Sequence, residues 1–309
     1  MLHNLGVMAP PNEEHRWLGA LGDALGAGWR VEPVEAFDTG DLEVIAAAPP
    51  LRRSLSDFPN LRLIQSLWAG VEVILRDPGL RTDIPLARMK DPEMERSMSQ
   101  SVLAHVLSYH LHHDEYRRQQ SRSEWGQIYG VEPDRRTVTL LGLGAMGRAA
   151  AIGLRDAGFR MAALVRSPRP DEIETFGLDQ LDARLGRTDV LVNVLPVTDQ
   201  TRDIIDARLL AKLPAGSAFV NVARGAHVVD TDLLAVLDSG HLRHAYLDVF
   251  RTEPLPADHP FWRHPRVTVT PHMSAPTFPR SGARFVAEQL TRLERGEPLE
   301  HVVDHDAGY

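Results

Sequence analysis

The 309-residue chain contains no cysteine. Disulfide bonds, thiolate metal sites and cysteine nucleophiles are therefore excluded. The chain also has no run approaching the ~18 consecutive apolar residues of a membrane-spanning helix. Its N-terminal segment has an early Pro-Pro and two Glu where a secretory signal needs an apolar core. These absences predict a soluble, cytoplasmic protein that does not bind to membranes.

Positive charge is also in short supply, since 34 Lys and Arg stand against 42 Asp and Glu, for a net charge of −8. Such a chain has no overall attraction for nucleic acid or anionic membranes. Apolar residues at 43% and charged residues at 25% are typical of globular proteins. The length suits two domains of roughly 100–200 residues each. Because the net charge of the chain is negative, any anionic ligand must be held by local cationic groups.

From Thr137 onward the sequence alternates between apolar runs and helix signals. The runs suit buried parallel strands and cover 137–142, 159–165, 189–195, 217–223, 245–250 and 266–270. Asp206 and Asp230 each precede an apolar helical segment and are predicted N-caps. Six strands with intervening helices predict a doubly wound parallel sheet of the Rossmann type.

One long helix is predicted over Met98–Gln119, which contains neither Pro nor Gly. His105, His110, His112 and His113 lie on this segment. They point in different directions around a helix, which favours a solvated or interface surface over a metal site, and no metal site is predicted.

The N-terminal region has shorter strands, among them Leu42–Ala48 and Leu61–Leu67, and an amphipathic helix is predicted at 280–294. That last helix has no sheet of its own, so we expect it to pack on the N-terminal region. The sequence thus predicts a discontinuous, smaller, flavodoxin-like α/β domain for substrate. Its parts are 1–97 and 276–309, and a dinucleotide-binding domain at 98–275 is inserted between them, with a ligand cleft between the domains.

A glycine-rich turn follows the first strand of the inserted domain and opens a helix. Gly142 allows the tight turn, Gly144 lets the backbone approach a pyrophosphate, and Gly147 permits close packing of helix on strand. Backbone N–H groups of the intervening Ala145 and Met146 would face the diphosphate. Glycine-rich turns also occur in purely structural loops, but a strand before and a helix after favour dinucleotide binding.

The turn after the second strand indicates which dinucleotide binds. NAD enzymes usually carry Asp or Glu about 20 residues past the glycines, to bind the ribose 2′-hydroxyl. This chain has Arg166, Ser167 and Arg169 there. Two guanidiniums and a hydroxyl suit a 2′-phosphate, although a solvated basic turn is the structural alternative. The sequence predicts NADPH, with NADH binding more weakly.

Three chemically useful side chains follow strands of the same sheet: Arg224, Glu253 and His272. Ligands of open α/β sheets bind outside the carboxyl ends of the strands. Arg224 offers a planar charged fork to a carboxylate, and His272 suits acid–base work near neutral pH. Glu253 would fix the imidazole tautomer. Each residue alone could be structural, but together they suit reduction of a 2-keto acid by hydride transfer.

Five ordered motifs carry a family resemblance: LGLGAMG, NVLPVTDQT, VARGAHVVD, LDVFRTEPLP and TPHMSAPT. With them the chain resembles the D-2-hydroxyacid dehydrogenase family, in its glyoxylate/hydroxypyruvate reductase branch. The resemblance implies that glyoxylate or hydroxypyruvate is reduced with Arg224, Glu253 and His272 as the catalytic residues, and it implies a homodimer. It extends the cofactor contacts to Leu195, Pro196, Thr201, Val222, Ala223 and Asp248, the last as acceptor for the nicotinamide carboxamide.

The resemblance also implies a substrate-carboxylate loop at Trp68, Ala69 and Gly70. Family members mostly have Gly or Ala in place of Trp68, and Asp in place of Glu72. Trp68 either narrows the pocket toward two- or three-carbon acids or packs in the core. Two other functions stay open: a dinucleotide-sensing regulatory protein on the same fold, and a dehydrogenase for a different 2-hydroxy acid.

Overall fold

A computed structural model of the chain describes residues 3–168 and 170–305. Two compact units are present, one formed by the chain up to Met94 and from Thr277 on, the other by Glu95–Pro276. Within the described ranges, no helix is both long and apolar enough to cross a membrane.

The helices and strands follow one another in α/β alternation. In chain order they are β1 (His3–Met8), α1 (Pro11–Leu25), β2 (Trp29–Pro33), β3 (Val44–Ala47), β4 (Leu63–Ser66), β5 (Leu86–Ala87), α2 (Pro92–His110), α3 (His113–Ser121), β6 (Thr137–Leu141), α4 (Ala145–Asp156), β7 (Arg160–Leu164), β8 (Glu174–Phe176), α5 (Leu181–Leu185), β9 (Val190–Asn193), α6 (Ala207–Leu210), β10 (Ser217–Asn221), α7 (Asp230–Asp238), β11 (Leu242–Leu247), β12 (Val267–Val269) and α8 (Pro279–Arg295).

The first unit is built on a five-stranded parallel sheet in the order β2-β1-β3-β4-β5. This is the flavodoxin-like strand order. Helix α8 packs against α1 and ends at Gly296, which adopts a left-handed conformation. The amphipathic helix predicted at 280–294 is therefore confirmed, to within one residue at each end.

The second unit is built on a seven-stranded parallel sheet in the order β12-β11-β10-β9-β6-β7-β8. Numbered within the sheet, this is 7-6-5-4-1-2-3, which extends the Rossmann order by one strand. The predicted doubly wound fold is confirmed. All six predicted strands are present. An additional strand, β8, was not predicted because it has only three residues and Glu174 is exposed.

Alternate residues of the central strands feed two separate cores. Leu191 and Phe219 belong to one apolar cluster, whereas Val190, Val192 and Val220 belong to the other. Side chains that alternate in this way point to opposite faces of a sheet. Both faces are therefore covered, as an all-parallel sheet requires.

The single helix predicted over Met98–Gln119 is wrong, because the chain breaks between α2 and α3. His112 adopts a left-handed conformation with φ of 58°, and non-glycine residues seldom do so. Arg243 stabilises the break: its guanidinium donates to the carbonyl oxygen of Tyr109 and lies 3.1 Å from His112 Nδ1. No local sequence signal marks this break, since its partner lies 131 residues away.

Two smaller predictions also need correction. Asp230 is the first residue of α7 and Val229 is its N-cap, so the carboxylate lies in the first turn of the helix. His110 is buried rather than solvated, and its ring packs edge-on against Phe159 with the centroids 5.2 Å apart. By contrast, the predicted N-cap Asp206 is confirmed, because its carboxylate accepts a 2.8 Å hydrogen bond from Leu209 N–H.

The packing of α8 on α1 predicts opposite effects for two helical glycines. A Cβ at Gly282 would lie 2.8 Å from the Trp17 ring, whereas one at Gly19 would meet no described atom within 4 Å. We expect Gly282→Ala to lower the free energy of unfolding by about 1–3 kcal/mol through overpacking. Gly19→Ala should raise it by about 0.5–1 kcal/mol through helix propensity. Urea denaturation tests both, and stabilisation by both variants would contradict this packing.

Candidate active site

One row of paired residues sets the edge on which the candidate site is built. Val269, Leu247, Asn221, Asn193 and Leu141 pair successively across five neighbouring strands. Each is the last residue of its strand. The segments that follow, which hold nearly all the site residues predicted in this unit, therefore leave the sheet side by side at its carboxyl edge.

The glycine-rich turn follows β6 on this row. Gly142 has φ of +104°, and a Cβ on Gly147 would lie 2.7 Å from Gly142 O. The first and third glycines are thus required by backbone conformation and by close packing, as the sequence analysis argued. Gly144 is the N-cap of α4, and a Cβ there would meet no described atom within 4 Å. The backbone before Ala145 and Met146 is therefore open to a ligand.

The basic turn after β7 places Arg166 and Ser167 in exposed positions. Both precede the segment that leads to β8. The third predicted member of this turn, Arg169, lies outside the described residues. Where the chain is described, the turn offers a guanidinium and a hydroxyl at the surface.

His272 and Glu253 form the central contact of the candidate site. Nδ1 of His272 lies 2.7 Å from Glu253 Oε2, and both side chains are partly exposed. Because the carboxylate accepts at Nδ1, the other ring nitrogen, Nε2, is left to face a reactant. His272 has φ of 54°, a left-handed conformation that an L-residue adopts at some energetic cost.

Three neighbouring residues favour the charged form of the Glu253 side chain. Burial by itself raises the pKa of this carboxyl. The hydrogen bond from His272, the 2.8 Å hydrogen bond from Phe250 N–H and the charges of His272 and Arg224 outweigh that effect, and the net pKa is lowered. The site therefore holds a carboxylate, rather than a carboxylic acid, next to the imidazole at neutral pH.

The guanidinium of Arg224 is oriented by the preceding residue in the sequence. Its Nη1 donates to Ala223 O at 2.7 Å, and its extended backbone leads into a 3-10 turn that begins at Gly225. A Cβ at Gly225 would overlap the backbone of Phe250 and Arg251. The two loops therefore touch backbone to backbone, which brings the guanidinium loop against the loop that carries Glu253.

Asp248 is buried at 1% exposure and binds the loop that carries His272. Oδ1 accepts from Thr270 Oγ1 at 2.6 Å and from Met273 N–H at 2.9 Å, and Oδ2 accepts from Ser274 N–H at 2.8 Å. The carbonyl oxygen of Asp248 accepts from His272 N–H at 2.8 Å. These bonds stabilise the left-handed His272, and the nicotinamide contact implied for Asp248 stays a prediction.

The other predicted cofactor residues form two loops at the same edge. Pro196 O accepts from Thr201 Oγ1 at 2.7 Å, which closes the loop that begins at Leu195. Val222 and Ala223 are buried directly after β10. The sequence analysis did not predict three buried side chains between these loops, Asn193, Asn221 and His227. Asn193 and Asn221 interrupt the apolar runs 189–195 and 217–223, which was the available signal, and no comparable signal marks His227.

The predicted substrate loop belongs to the first unit. Trp68, Ala69 and Gly70 follow β4 and are half-buried. Trp68 O accepts from Ser66 Oγ at 2.7 Å and from Met89 N–H at 3.3 Å. Two hydrogen bonds thus fix the backbone at Trp68.

The hydrogen bonds to Asp248 predict a specific loss in Asp248→Asn. One N–H of the new amide must face a backbone N–H at Met273 or Ser274, so the free energy of unfolding should fall by about 1–3 kcal/mol. Urea denaturation measures the change, and exposed Asp258→Asn, which removes the same charge, should stay within about 0.5 kcal/mol of the parent. Equal effects in the two variants would contradict the role in the loop.

Several known proteins are similar to this chain over most of its length. A glyoxylate/hydroxypyruvate reductase A from Serratia proteamaculans is 38% identical over 303 residues, which cover 95% of this chain and 96% of that protein. Another from Klebsiella pneumoniae is 41% identical over 256 residues, which cover 81% of this chain and 82% of its own.

Solved structures agree with these relatives. A D-isomer specific 2-hydroxyacid dehydrogenase from Xanthobacter autotrophicus, in complex with NADPH and MES, superposes with a TM-score of 0.93 at 33% identity and 100% coverage of both chains. An NADPH-dependent glyoxylate/hydroxypyruvate reductase from Sinorhizobium meliloti, in complex with NADP and sulfate, gives 0.92 at 35% identity, with 99% of this chain and 100% of that chain covered.

The family comparison gives the same result for the second unit. Residues 103–274 match the family model described as D-isomer specific 2-hydroxyacid dehydrogenase, NAD binding domain. The resemblance inferred from the five motifs is confirmed, including its glyoxylate/hydroxypyruvate reductase branch. The chain therefore belongs to the D-isomer specific 2-hydroxyacid dehydrogenase family.

Proposed function

We propose that the chain is an NADPH-dependent reductase of small 2-keto acids, which converts glyoxylate and hydroxypyruvate to the corresponding 2-hydroxy acids. The observation that carries this proposal is the 2.7 Å contact between His272 Nδ1 and Glu253 Oε2, at the same sheet edge as Arg224 and the glycine-rich turn. The relatives named as reductases of these acids support the choice of substrate.

The residues present at the turn fit a dinucleotide. The backbone at Gly144 is open on the ligand side, and within the described residues no side chain caps the first turn of α4. Free N–H groups at a helix N-terminus suit a diphosphate. Arg166 and Ser167 would hold the 2′-phosphate. When bound, NADPH supplies the hydride that adds to the carbonyl carbon of the keto acid.

The proposed chemistry divides between three side chains. Arg224 binds the carboxylate and the carbonyl oxygen of the keto acid with its planar fork. His272 gives its Nε2 proton to the carbonyl oxygen as the hydride reaches the carbon, so the alkoxide never accumulates. Glu253 accepts from Nδ1, which orients the ring and stabilises the imidazolium before transfer. The product is a 2-hydroxy acid and the imidazole is left neutral.

The finer assignments rest on the resemblance, except for the cytoplasmic location, which rests on the composition of the sequence. Four assignments stay predictions: a homodimer, a cytoplasmic location, a substrate contact at Trp68, Ala69 and Gly70, and cofactor contacts at Leu195, Pro196, Thr201, Val222 and Ala223.

His272→Gln gives the most direct test of the proposed proton donor. We expect kcat for glyoxylate and hydroxypyruvate to fall by about 10²–10⁴-fold, because an amide cannot supply the proton. The affinity for NADPH should stay near that of the parent. Steady-state absorbance assays with a keto-acid panel measure turnover, and fluorescence titration measures NADPH binding.

His15→Gln on the exposed surface of α1 is the matched control and should leave both readouts unchanged. Near-parental turnover in His272→Gln would contradict the assigned proton donor. NADPH binding by the parent protein without turnover of any keto acid would instead favour the regulatory alternative.

Arg166→Asp tests the choice of cofactor. The new carboxylate would repel a 2′-phosphate and accept from a ribose hydroxyl, so the ratio of kcat/KM for NADPH to that for NADH should fall at least about tenfold. Arg160→Asp, at the other end of β7, makes the same change in charge and should leave the ratio unchanged. An unaltered ratio in Arg166→Asp would show that this turn does not select the cofactor.

A further inference from the structure

Three polar side chains at the carboxyl edge are fully buried and have no part in the proposed chemistry. Asn193, Asn221 and His227 all have 0% exposure. Buried polar groups are expected to have hydrogen-bond partners, and those of this trio connect the loop after β9 to the loop after β10. We call the three side chains the buried relay.

Asn221 is oriented by two backbone groups of its own loop. Its Oδ1 accepts from Ala223 N–H at 3.2 Å, and its Nδ2 donates to Arg224 O at 3.1 Å. An N–H can only donate and a carbonyl oxygen can only accept, so the amide is fixed in this orientation. Asn221 thereby holds the backbone of the residue that is the proposed substrate anchor.

Asn193 is also oriented by a backbone group, and its orientation determines which atom of His227 can accept a hydrogen bond. Its Oδ1 accepts from Leu195 N–H at 3.3 Å. Its Nδ2 then donates one hydrogen to Asn221 Oδ1 at 3.0 Å and the other to His227 Nδ1 at 3.0 Å. The backbone groups therefore determine which side-chain atoms of Asn221 and Asn193 donate and which accept.

The tautomer of His227 follows from this pattern. Because Nδ1 must accept from Asn193, Nε2 carries the ring hydrogen and donates to Pro196 O at 3.2 Å. A charged imidazole would place an N–H at Nδ1 against the N–H of Asn193. Burial lowers the pKa of His227, and the guanidiniums of Arg224 and Arg202 also lower it. These effects outweigh the backbone hydrogen bonds at Pro196 and Arg224, which raise it, so the net pKa is lowered and the neutral form agrees with the geometry.

We propose that His227 is a positioning residue, which as a neutral imidazole joins the loop 194–201 to the loop 222–227 and so sets the place where the dinucleotide binds. The second half of this statement rests on the proposed function. His227 spans the gap because its two ring nitrogens can accept from Asn193 and donate to Pro196 at the same time. Loss of the bond to Pro196 should loosen the first loop while Asn221 still holds Arg224.

The test compares His227→Leu with His227→Gln. Leucine removes both hydrogen bonds, and we expect the dissociation constant for NADPH to rise about tenfold, the equivalent of one hydrogen bond. The KM for the keto acid should change by less than about twofold, because the Asn221 bond to Arg224 is kept. Glutamine retains an N–H that reaches Pro196 O and should restore most of the affinity for NADPH.

His244→Leu is the matched control, because His244 is a buried histidine on β11 that lies 2.9 Å from Thr268 Oγ1 and outside the relay. The His244→Leu variant should have a lower melting temperature but an unchanged dissociation constant for NADPH. The proposal is overturned if His227→Leu binds NADPH as tightly as the parent, if His227→Gln binds as weakly as His227→Leu, or if His244→Leu weakens NADPH equally.

A second pair of variants covers the case in which His227→Leu does not fold. His227→Asn keeps an acceptor for Asn193 but is too short to reach Pro196 O, whereas His227→Gln reaches it. NADPH should therefore bind more weakly to His227→Asn than to His227→Gln. Equal dissociation constants for the two variants would overturn the proposal.

A readout without any cofactor separates this inference from the proposed function. The ¹⁵N chemical shifts of His227 in the unliganded protein should report a neutral Nε2–H tautomer from about pH 6 to 8. An Nδ1–H tautomer or a charged ring in that range would overturn the relay. Failure of the parent protein to bind NADPH would count against the proposed function and leave the relay to be decided by the NMR result.

Discussion

Five parallel strands end at residues that pair with one another across the sheet, and the rest of the site depends on this alignment. Leu141, Asn193 and Asn221 are hydrogen-bonded neighbours in register, so the segments that follow must leave the sheet at the same level. Residues far apart in the chain thereby become neighbours without any long-range signal in the sequence. A slip of two residues between β11 and β12 would separate His272 from Asp248 even though every side chain kept its face of the sheet.

Around that edge, the hydrogen bonds form two layers with different tasks. The outer layer is the partly exposed pair of His272 and Glu253, the proposed proton donor and its partner. The inner layer is buried, and in it Asp248 holds the histidine loop while Asn221 holds the arginine loop. The buried layer stabilises a conformation that His272 would otherwise adopt at a cost of about 1–2 kcal/mol.

Much of the fold could be predicted from the sequence, because buried parallel strands are continuous apolar runs and the glycines of the phosphate turn have conformational requirements of their own. That Arg224, Glu253 and His272 lie at one edge of the sheet was predictable from their positions after strands. The break at His112 was not, since it depends on Arg243, a distant residue in the chain. β8 was missed because three residues carry too little periodicity to be recognised.

The buried relay shows the same limit at the site itself. An Asn within an apolar run indicates a polar contact, but the run does not show which partner it meets. Asn193 and His227 are 34 residues apart and become neighbours only through the sheet register. Hydrogen-bond networks of this kind are three-dimensional properties, whereas a glycine turn is a local one.

The missing side chain at Gly225 has a consequence for how this scaffold could change over time. With the backbone of Phe250 and Arg251 against it, the position admits no larger residue unless both loops shift together. A change in the position of the Arg224 guanidinium relative to the Glu253 carboxylate therefore requires paired substitutions, one in each of two distant segments of the chain. Single substitutions can alter the site more readily at exposed positions such as Arg166 and Ser167.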